Sequence, residues 1–217
     1  MSASPAPLTI ALPKGRLQEQ VLELLLARGI DIRFRERELV ARDPESRITC
    51  FLVKNSDLPT YVNHGIAGLG VCGTDVIYES GYSFYRLHAF PFGKTRMCLA
   101  GRRGEAPGRE PKKLTIATKF TRYTRDYFTS RGVPVQIIRL NGSVELAPVL
   151  GLAPCIVDLV ETGSTLKAHS LEIFQVLEEM EVYLIANPGY YKIHYQRIRN
   201  FIDLLKGDDE KDGSCRC

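Results

Sequence analysis

The sequence predicts an α/β protein built from two similar lobes that face each other across a cleft. Three observations carry that prediction. Short apolar runs of strand length alternate with segments whose apolar residues repeat at helical spacing. Strand-like runs end in glycine-bearing or polar turns before the next helix starts. The order of elements that begins at Leu8 also recurs from Leu114.

Bulk properties bound the reading. A chain of 217 residues suits one large or two small domains, and 44% hydrophobic residues supply real cores. A net charge of +4 suits anionic ligands. With no long basic run beside it, that surplus does not imply nucleic acid. No run of 18 apolar residues exists, and the opening MSASPAP makes no signal peptide. A cytoplasmic chain with no membrane attachment is expected. Cys50, Cys72, Cys98 and Cys155 lie in or beside apolar runs and read as small buried hydrophobes. Cys215 and Cys217 belong to a polar tail.

The first lobe opens with a strand over Leu8 to Leu12 and a basic turn, Lys14-Gly15-Arg16. Leu17, Val21, Leu24 and Leu25 then mark a helix that stops at Gly29. This order puts Lys14 and Arg16 at a sheet's carboxyl edge, where open α/β sheets bind ligands; a plain surface turn would use the same residues. Residues 31–47 carry five arginines in a hairpin or irregular strands. Ile48 to Val53 is a strand, followed by Asn55-Ser56-Asp57 and a helix in which Pro59 fits the first turn. Leu69 to Cys72 is a strand, Gly73-Thr74-Asp75 a glycine turn, and a short helix follows. Phe84 to Pro91 reads as an extended connection, Lys94 to Ala100 as a strand, and 101–113 as an exposed polar insert.

The second lobe repeats the first. Leu114-Thr115-Ile116-Ala117 echoes Leu8-Thr9-Ile10-Ala11, and the turn at Lys119 to Arg122 stands where Lys14 to Arg16 stood. A helix follows to Gly132, then a strand over Val135 to Leu140. Asn141 to Glu145 mirrors Asn55 to Asp57, and a glycine comes ten residues after each Asn, at Gly65 and Gly151. After the next strand, Leu171 to Leu177 carries on a helix. Glu181 to Ala186 is a strand, Asn187-Pro188-Gly189 a turn, and Tyr190 to Leu205 a terminal helix with Ile193, Ile198, Ile202 and Leu205 on its apolar side. Residues 1–92 and 182–206 make the first lobe, 93–181 the second, and 207–217 a disordered tail.

The stretch Pro154 to Leu171 organises the chemistry. A buried strand over Cys155 to Leu159 carries Asp158 near its carboxyl end and leads into Glu161-Thr162-Gly163-Ser164-Thr165. Gly163 permits a tight turn, Ser164 and Thr165 offer hydroxyls, and a helix start leaves backbone N–H groups unpaired. Together they suit a phosphate. Asp158 or Glu161 supplies a carboxylate for Mg²⁺ or for ribose hydroxyls. The loop does not match the G-x-x-x-x-G-K-[ST] pattern, and a merely capped helix start would look much the same.

The combination is more specific than its pieces. LTIALPKGRL, NSDLPTYVNHGIAGLGVCGTDV, NGSVELAPVLGLAPCIVDLVETGSTLKAH and LIAN together resemble the ATP phosphoribosyltransferase family over residues 8–205, nearly the whole chain. The resemblance implies a fold like a type II periplasmic-binding protein. It implies the first committed step of histidine biosynthesis, in which ATP and 5-phosphoribosyl 1-pyrophosphate give N1-(5-phosphoribosyl)-ATP and pyrophosphate with Mg²⁺. The family's loop for the 5-phosphate and ribose falls on Glu161, Thr162, Gly163, Ser164 and Thr165, with Asp158 just before it. Ser164 stands where many members have Asn or Arg. The KGR turn falls on Lys14, Gly15 and Arg16, facing triphosphate or pyrophosphate. Glu145 falls in the SVELAP motif, near ribose and adenine, as a candidate proton acceptor. Asn55 and Asp57, with Gly73 and Thr74, line the cleft from the first lobe.

The resemblance also implies a short, catalytic form without the C-terminal regulatory domain of long members. Such forms are homodimers that join a histidyl-tRNA-synthetase-like regulatory subunit in a hetero-octamer. Two non-enzymatic readings compete. A small-anion-binding module of the same fold would normally carry an export signal. An effector-binding domain of a transcription factor would need a helix-turn-helix segment, for which residues 1–7 leave no room.

Overall fold

The computed structural model describes residues 6–45, 47–108 and 113–207. Apart from Gly207, the polar tail with Cys215 and Cys217 lies outside the described residues, as do 109–112 of the polar insert. The described residues within Met1–Gly93 and Val182–Cys217 form one compact unit, and those within Lys94–Glu181 form a second.

Unit 1 contains, in chain order, β1 (Leu8–Pro13), α1 (Arg16–Ala27), β2 (Val40–Arg42), β3 (Ile48–Val53), α2 (Leu58–Asn63), β4 (Leu69–Gly73), α3 (Thr74–Ser80) and β5 (Tyr85–Ala89). Unit 2 follows with β6 (Thr95–Arg102), β7 (Leu114–Thr118), α4 (Thr121–Thr129), β8 (Val135–Arg139), α5 (Leu146–Val149), β9 (Cys155–Val160), α6 (Ser164–Ala168) and β10 (Leu171–Met180). The chain then returns to unit 1 as β11 (Val182–Ala186), α7 (Pro188–Ile193) and α8 (Tyr195–Lys206).

The two sheets are variations on one plan. The order in unit 1 is β2-β3-β1-β4-β11-β5, and in unit 2 it is β10-β6-β9-β7-β8. β1 lies parallel to both β3 and β4, and β7 lies parallel to both β8 and β9. In each unit the strand that follows a crossing between units, β6 or β11, adds antiparallel to the third parallel strand. Strand alternation sends Leu8, Ile10 and Leu12 to the face covered by α1 and α8, and Ala11 to the face with Leu58, Val62, Val76 and Ile77 of α2 and α3. Met97 and Leu99 likewise face Tyr123 and Phe128 of α4, while Cys98 and Ala100 face Ala147 and Leu166 of α5 and α6. A fully buried Ile10 or Leu12 contributes about 1.5–3 kcal/mol each.

This wiring fixes where ligands can approach. The chain leaves the central strand in one direction, to β3 or β8, and comes back on its other side, to β4 or β9. The order therefore reverses between β1 and β4 in one sheet and between β7 and β9 in the other. Loops part at such a reversal, which opens a crevice outside the carboxyl ends of the strands.

Three local expectations are corrected. Leu171 to Leu177 is not helical: it belongs to β10, which pairs antiparallel with β6 from Leu171 opposite Arg102 to Met180 opposite Thr95. Bulges between Ile173 and Gln175 and between Val176 and Glu178 interrupt its alternation, so no period of two shows in the sequence. Within Phe84 to Pro91, Tyr85–Ala89 is an edge strand on β11. The terminal helix is broken at His194 (φ −110°, ψ 20°), and Asn187 caps its first piece by accepting from the N–H groups of Gly189 and Tyr190. Ile193 is consequently exposed, whereas Ile198, Phe201 and Leu205 are buried.

Candidate active site

In unit 1, register places three loops on one sheet edge. Pro13 lies opposite Val53, and Ala11 lies opposite Gly70, so the segments after β1, β3 and β4 leave together. After β1, the Lys14 N–H donates to the Val53 carbonyl at 3.0 Å. Gly15 adopts φ 110° and ψ −157°, a conformation that side chains rarely tolerate, and starts α1 by accepting from the Gln18 N–H at 2.9 Å. Lys14, Gly15 and Arg16 are all exposed. After β3, Asn55–Asp57 form a single 3-10 turn in which the Ser56 hydroxyl donates to Asp57 Oδ1 at 2.9 Å. Gly73 ends β4 and Thr74 starts α3, both half-buried. The structure therefore brings Lys14, Arg16, Asn55, Asp57, Gly73 and Thr74 to one edge, where Lys14 and Arg16 are the cations of the group.

In unit 2 the corresponding edge carries Glu145, Asp158 and the loop 161–165. Gly163, at φ 77° and ψ 9°, turns the chain from β9 into α6. The Thr162 and Ser164 hydroxyls lie 3.1 Å apart, and the Ser164 N–H points to Thr162 Oγ1 at 3.4 Å. Glu161, Thr162, Ser164 and Thr165 are exposed, so the hydroxyls face solvent. A cavity of about 620 Å³ runs from Thr162 and Gly163 past Lys167 to Glu172 and Arg103, giving the loop open space on one side.

Asp158 is the electrostatic centre of this edge. Its side chain is 26% exposed. Its Oδ1 accepts from the Leu159 N–H at 2.9 Å and lies 3.6 Å from Lys119 Nζ. Burial pushes its carboxyl above the usual carboxylate range; Lys119 and the Leu159 amide pull it back, and the like charge of half-buried Glu145 adds to the rise. The sequence alone does not mark Lys119 as a site residue. The available signal was the repeat itself, because Lys119 follows β7 as Lys14 follows β1. Thr118 was missed as well. Buried at 0% exposure, its hydroxyl donates to the Val157 carbonyl at 2.6 Å and accepts from the Phe120 N–H at 2.9 Å, which ties the turn to β9.

Among the described residues no three His, Cys, Asp or Glu side chains gather as a metal site. What unit 2 offers instead is the Asp158 and Glu161 carboxylates beside a glycine turn with exposed hydroxyl-bearing residues, a donor set of the kind Mg²⁺ uses when it arrives with phosphate oxygens. The described cysteines take no part. Cys50, Cys72, Cys98 and Cys155 are buried, and burial pushes the Cys50 thiol up to about 12 and the Cys155 thiol to about 11.

Comparison with known proteins gives a consistent result. The family model for HisG, ATP phosphoribosyltransferase, matches residues 54–207. An ATP phosphoribosyltransferase of Clostridioides difficile (strain 630) is 40% identical over 201 residues, covering 92% of this chain and 97% of that relative. One from Caldicellulosiruptor bescii is 46% identical over 205 residues, with the same coverage. Among solved structures, the ATP phosphoribosyl transferase (HisG:HisZ) complex from Thermotoga maritima aligns with a TM-score of 0.81 at 39% identity, over 92% of this chain and 96% of that one. The VFT2 domain of Bordetella pertussis BvgS aligns with a TM-score of 0.59 at 16% identity, over 92% and 86%, which shows a shared fold only.

Proposed function

The chain belongs to the ATP phosphoribosyltransferase family, and from that premise we propose how its two sheet edges divide the work of the reaction. As in its relatives, the reaction is the first step of histidine biosynthesis: ATP and 5-phosphoribosyl 1-pyrophosphate give N1-(5-phosphoribosyl)-ATP and pyrophosphate. Family membership sets aside the non-enzymatic anion-binding readings.

The loop Glu161 to Thr165 takes the 5-phosphate. The observation that carries this assignment is the left-handed Gly163 between exposed Thr162, Ser164 and Thr165 hydroxyls, at a sheet edge where the strand order reverses. Asp158 accepts from ribose hydroxyls. With the sugar anchored, adenine N1 attacks C1 and pyrophosphate leaves from the opposite face, so positioning lowers much of the barrier. Lys14 and Arg16 stabilise the negative charge that grows on the leaving group. Glu145, half-buried beside Asp158, accepts the proton shed by the exocyclic amine. Asn55, Asp57, Gly73 and Thr74 complete the polyphosphate side.

Mg²⁺ fits this donor set as an ion shared with phosphate oxygens. Exposed Glu161 is the better holder, because Asp158 Oδ1 already serves Lys119 and the Leu159 amide. The ion would supply charge neutralisation on the polyphosphate.

The HisG:HisZ complex supports a second, separate chain as partner. The fuller reading is a homodimer that joins a histidyl-tRNA-synthetase-like regulatory subunit in a hetero-octamer and confers histidine inhibition from a distinct site. No helix among the described residues is long and apolar enough to cross a membrane, and the cytoplasm is the proposed location.

Pyrophosphate release followed with each substrate alone and with both together tests the assignment, using Glu145→Gln and Arg16→Ala beside the parent chain. Release should need both substrates and fall in both variants. Undiminished rates in the two variants would remove those residues from the mechanism.

A further inference from the structure

We infer that Lys119 is a positioning residue for the sugar half of the reaction: it fixes the Asp158 carboxylate so that the second carboxylate oxygen is presented to the ribose hydroxyls of 5-phosphoribosyl 1-pyrophosphate. This rests on the ribose-binding reading of Asp158.

The geometry begins one residue before Lys119. The buried Thr118 hydroxyl bridges the Val157 carbonyl at 2.6 Å and the Phe120 N–H at 2.9 Å. This ties the turn after β7 to the residue before Asp158 on β9. Phe120 is held in the core at 4% exposure, and Lys119 Nζ sits 4.8 Å from its ring centroid. A lysine stem is ordinarily flexible and loses much freedom when fixed. Here the aromatic face restricts the ammonium beforehand. From that seat it lies 3.6 Å from Asp158 Oδ1, the same oxygen that accepts from the Leu159 N–H at 2.9 Å. One amide donor and one paired ammonium on the same oxygen hold the carboxylate's orientation and leave the other oxygen to accept from a hydroxyl. Like charge at Glu145 pushes against Asp158, and Lys119 offsets that push. Lys119 thus acts through Asp158 and on the sugar, whereas the cations of unit 1 are read as acting on the polyphosphate.

The test is a double-mutant cycle in the full-length chain with Lys119→Met, Asp158→Asn and both together, plus Lys119→Arg as the conservative variant. Calorimetric affinity for 5-phosphoribosyl 1-pyrophosphate, KM for ATP and the thermal melt are read for each. Lys119→Met should weaken sugar-phosphate affinity by about tenfold, as should Asp158→Asn, and the double variant should be no weaker than Asp158→Asn alone. KM for ATP and the melt should hardly move, and Lys119→Arg should recover most of the affinity. Losses that multiply in the double variant would show that Lys119 acts independently of Asp158 and overturn the inference. So would a loss for Asp158→Asn with none for Lys119→Met, though the ribose reading of Asp158 would then stand. Unchanged affinity in Asp158→Asn would remove the ribose reading and the inference together. A lowered melt with unchanged affinity in Lys119→Met would make the lysine purely structural.

Discussion

The turns after β1 and β7 occupy the same place in the same wiring, yet a strained glycine shapes the first and buried side chains anchor the second. Lys14-Gly15-Arg16 is exposed throughout; the Lys14 N–H donates to the Val53 carbonyl, and Gly15 takes a conformation that a side chain would oppose. Lys119-Phe120 is held by side chains: a buried Thr118 hydroxyl with two partners, a buried aromatic ring, and an ion pair with Asp158. The difference matches the tasks assigned to the two edges. A cation that meets a polyphosphate must be reachable from solvent. A cation that orients a neighbouring carboxylate gains by being pinned.

The largest expected effect strikes at this contrast. Gly15→Val should destabilise the chain by about 3 kcal/mol, because φ 110° with ψ −157° is a region essentially reserved for glycine. Space is no obstacle, since nothing lies within 4 Å of a Cβ built there. Thr118→Val should cost about 2 kcal/mol by leaving the Phe120 N–H and Val157 carbonyl without their buried partner. Denaturant unfolding of both variants checks this. A neutral Gly15→Val would mean the first turn relaxes freely, and a neutral Thr118→Val would mean the second is not held as described.

A functional contrast comes next. Arg16→Ala should lower kcat/KM by roughly tenfold or more, the loss of one charge-assisted contact, while its melt stays near the parent's. A large melt shift with normal kinetics would make this turn structural.

The smallest effect concerns protons. Burial holds the Asp158 carboxyl above its unfolded value, so its contribution favours the fold below the ordinary carboxylate range and is lost as pH rises through the folded value. Lys119 opposes that rise, so Lys119→Met should move the Asp158 titration to still higher pH. Carboxyl ¹³C NMR across a pH series reads this directly. A midpoint that stays put or falls would contradict the pairing.

The same contrast explains what the sequence made legible. The central parallel strands read easily because Leu8 to Leu12 and Leu114 to Ala117 are apolar on both faces, as strands covered by helices on both sides must be. The loop at Gly163 was legible for a similar reason: one glycine and clustered hydroxyls follow a buried strand. β10 was not legible. LEIFQVLEEM is rich in helix formers, its strand geometry comes from pairing with β6, and two bulges erase the alternation. Nor was Lys119 singled out, since its partner lies 39 positions later and only adjacency of β7 and β9 brings them together. The break at His194 left no proline or glycine to mark it.

The central claim is that the loop after β9 holds the sugar phosphate, and one titration tests it most directly. 5-Phosphoribosyl 1-pyrophosphate is titrated calorimetrically into the parent chain, Thr165→Ala and Gly163→Val. Thr165→Ala should lose roughly 1–3 kcal/mol of binding, the worth of a charge-assisted hydroxyl contact. Gly163→Val should also bind more weakly, through φ 77° rather than crowding, because a Cβ there meets only Val160 Cγ1 at 3.7 Å. Unchanged affinity in both variants would contradict the claim and move the phosphate elsewhere on the chain.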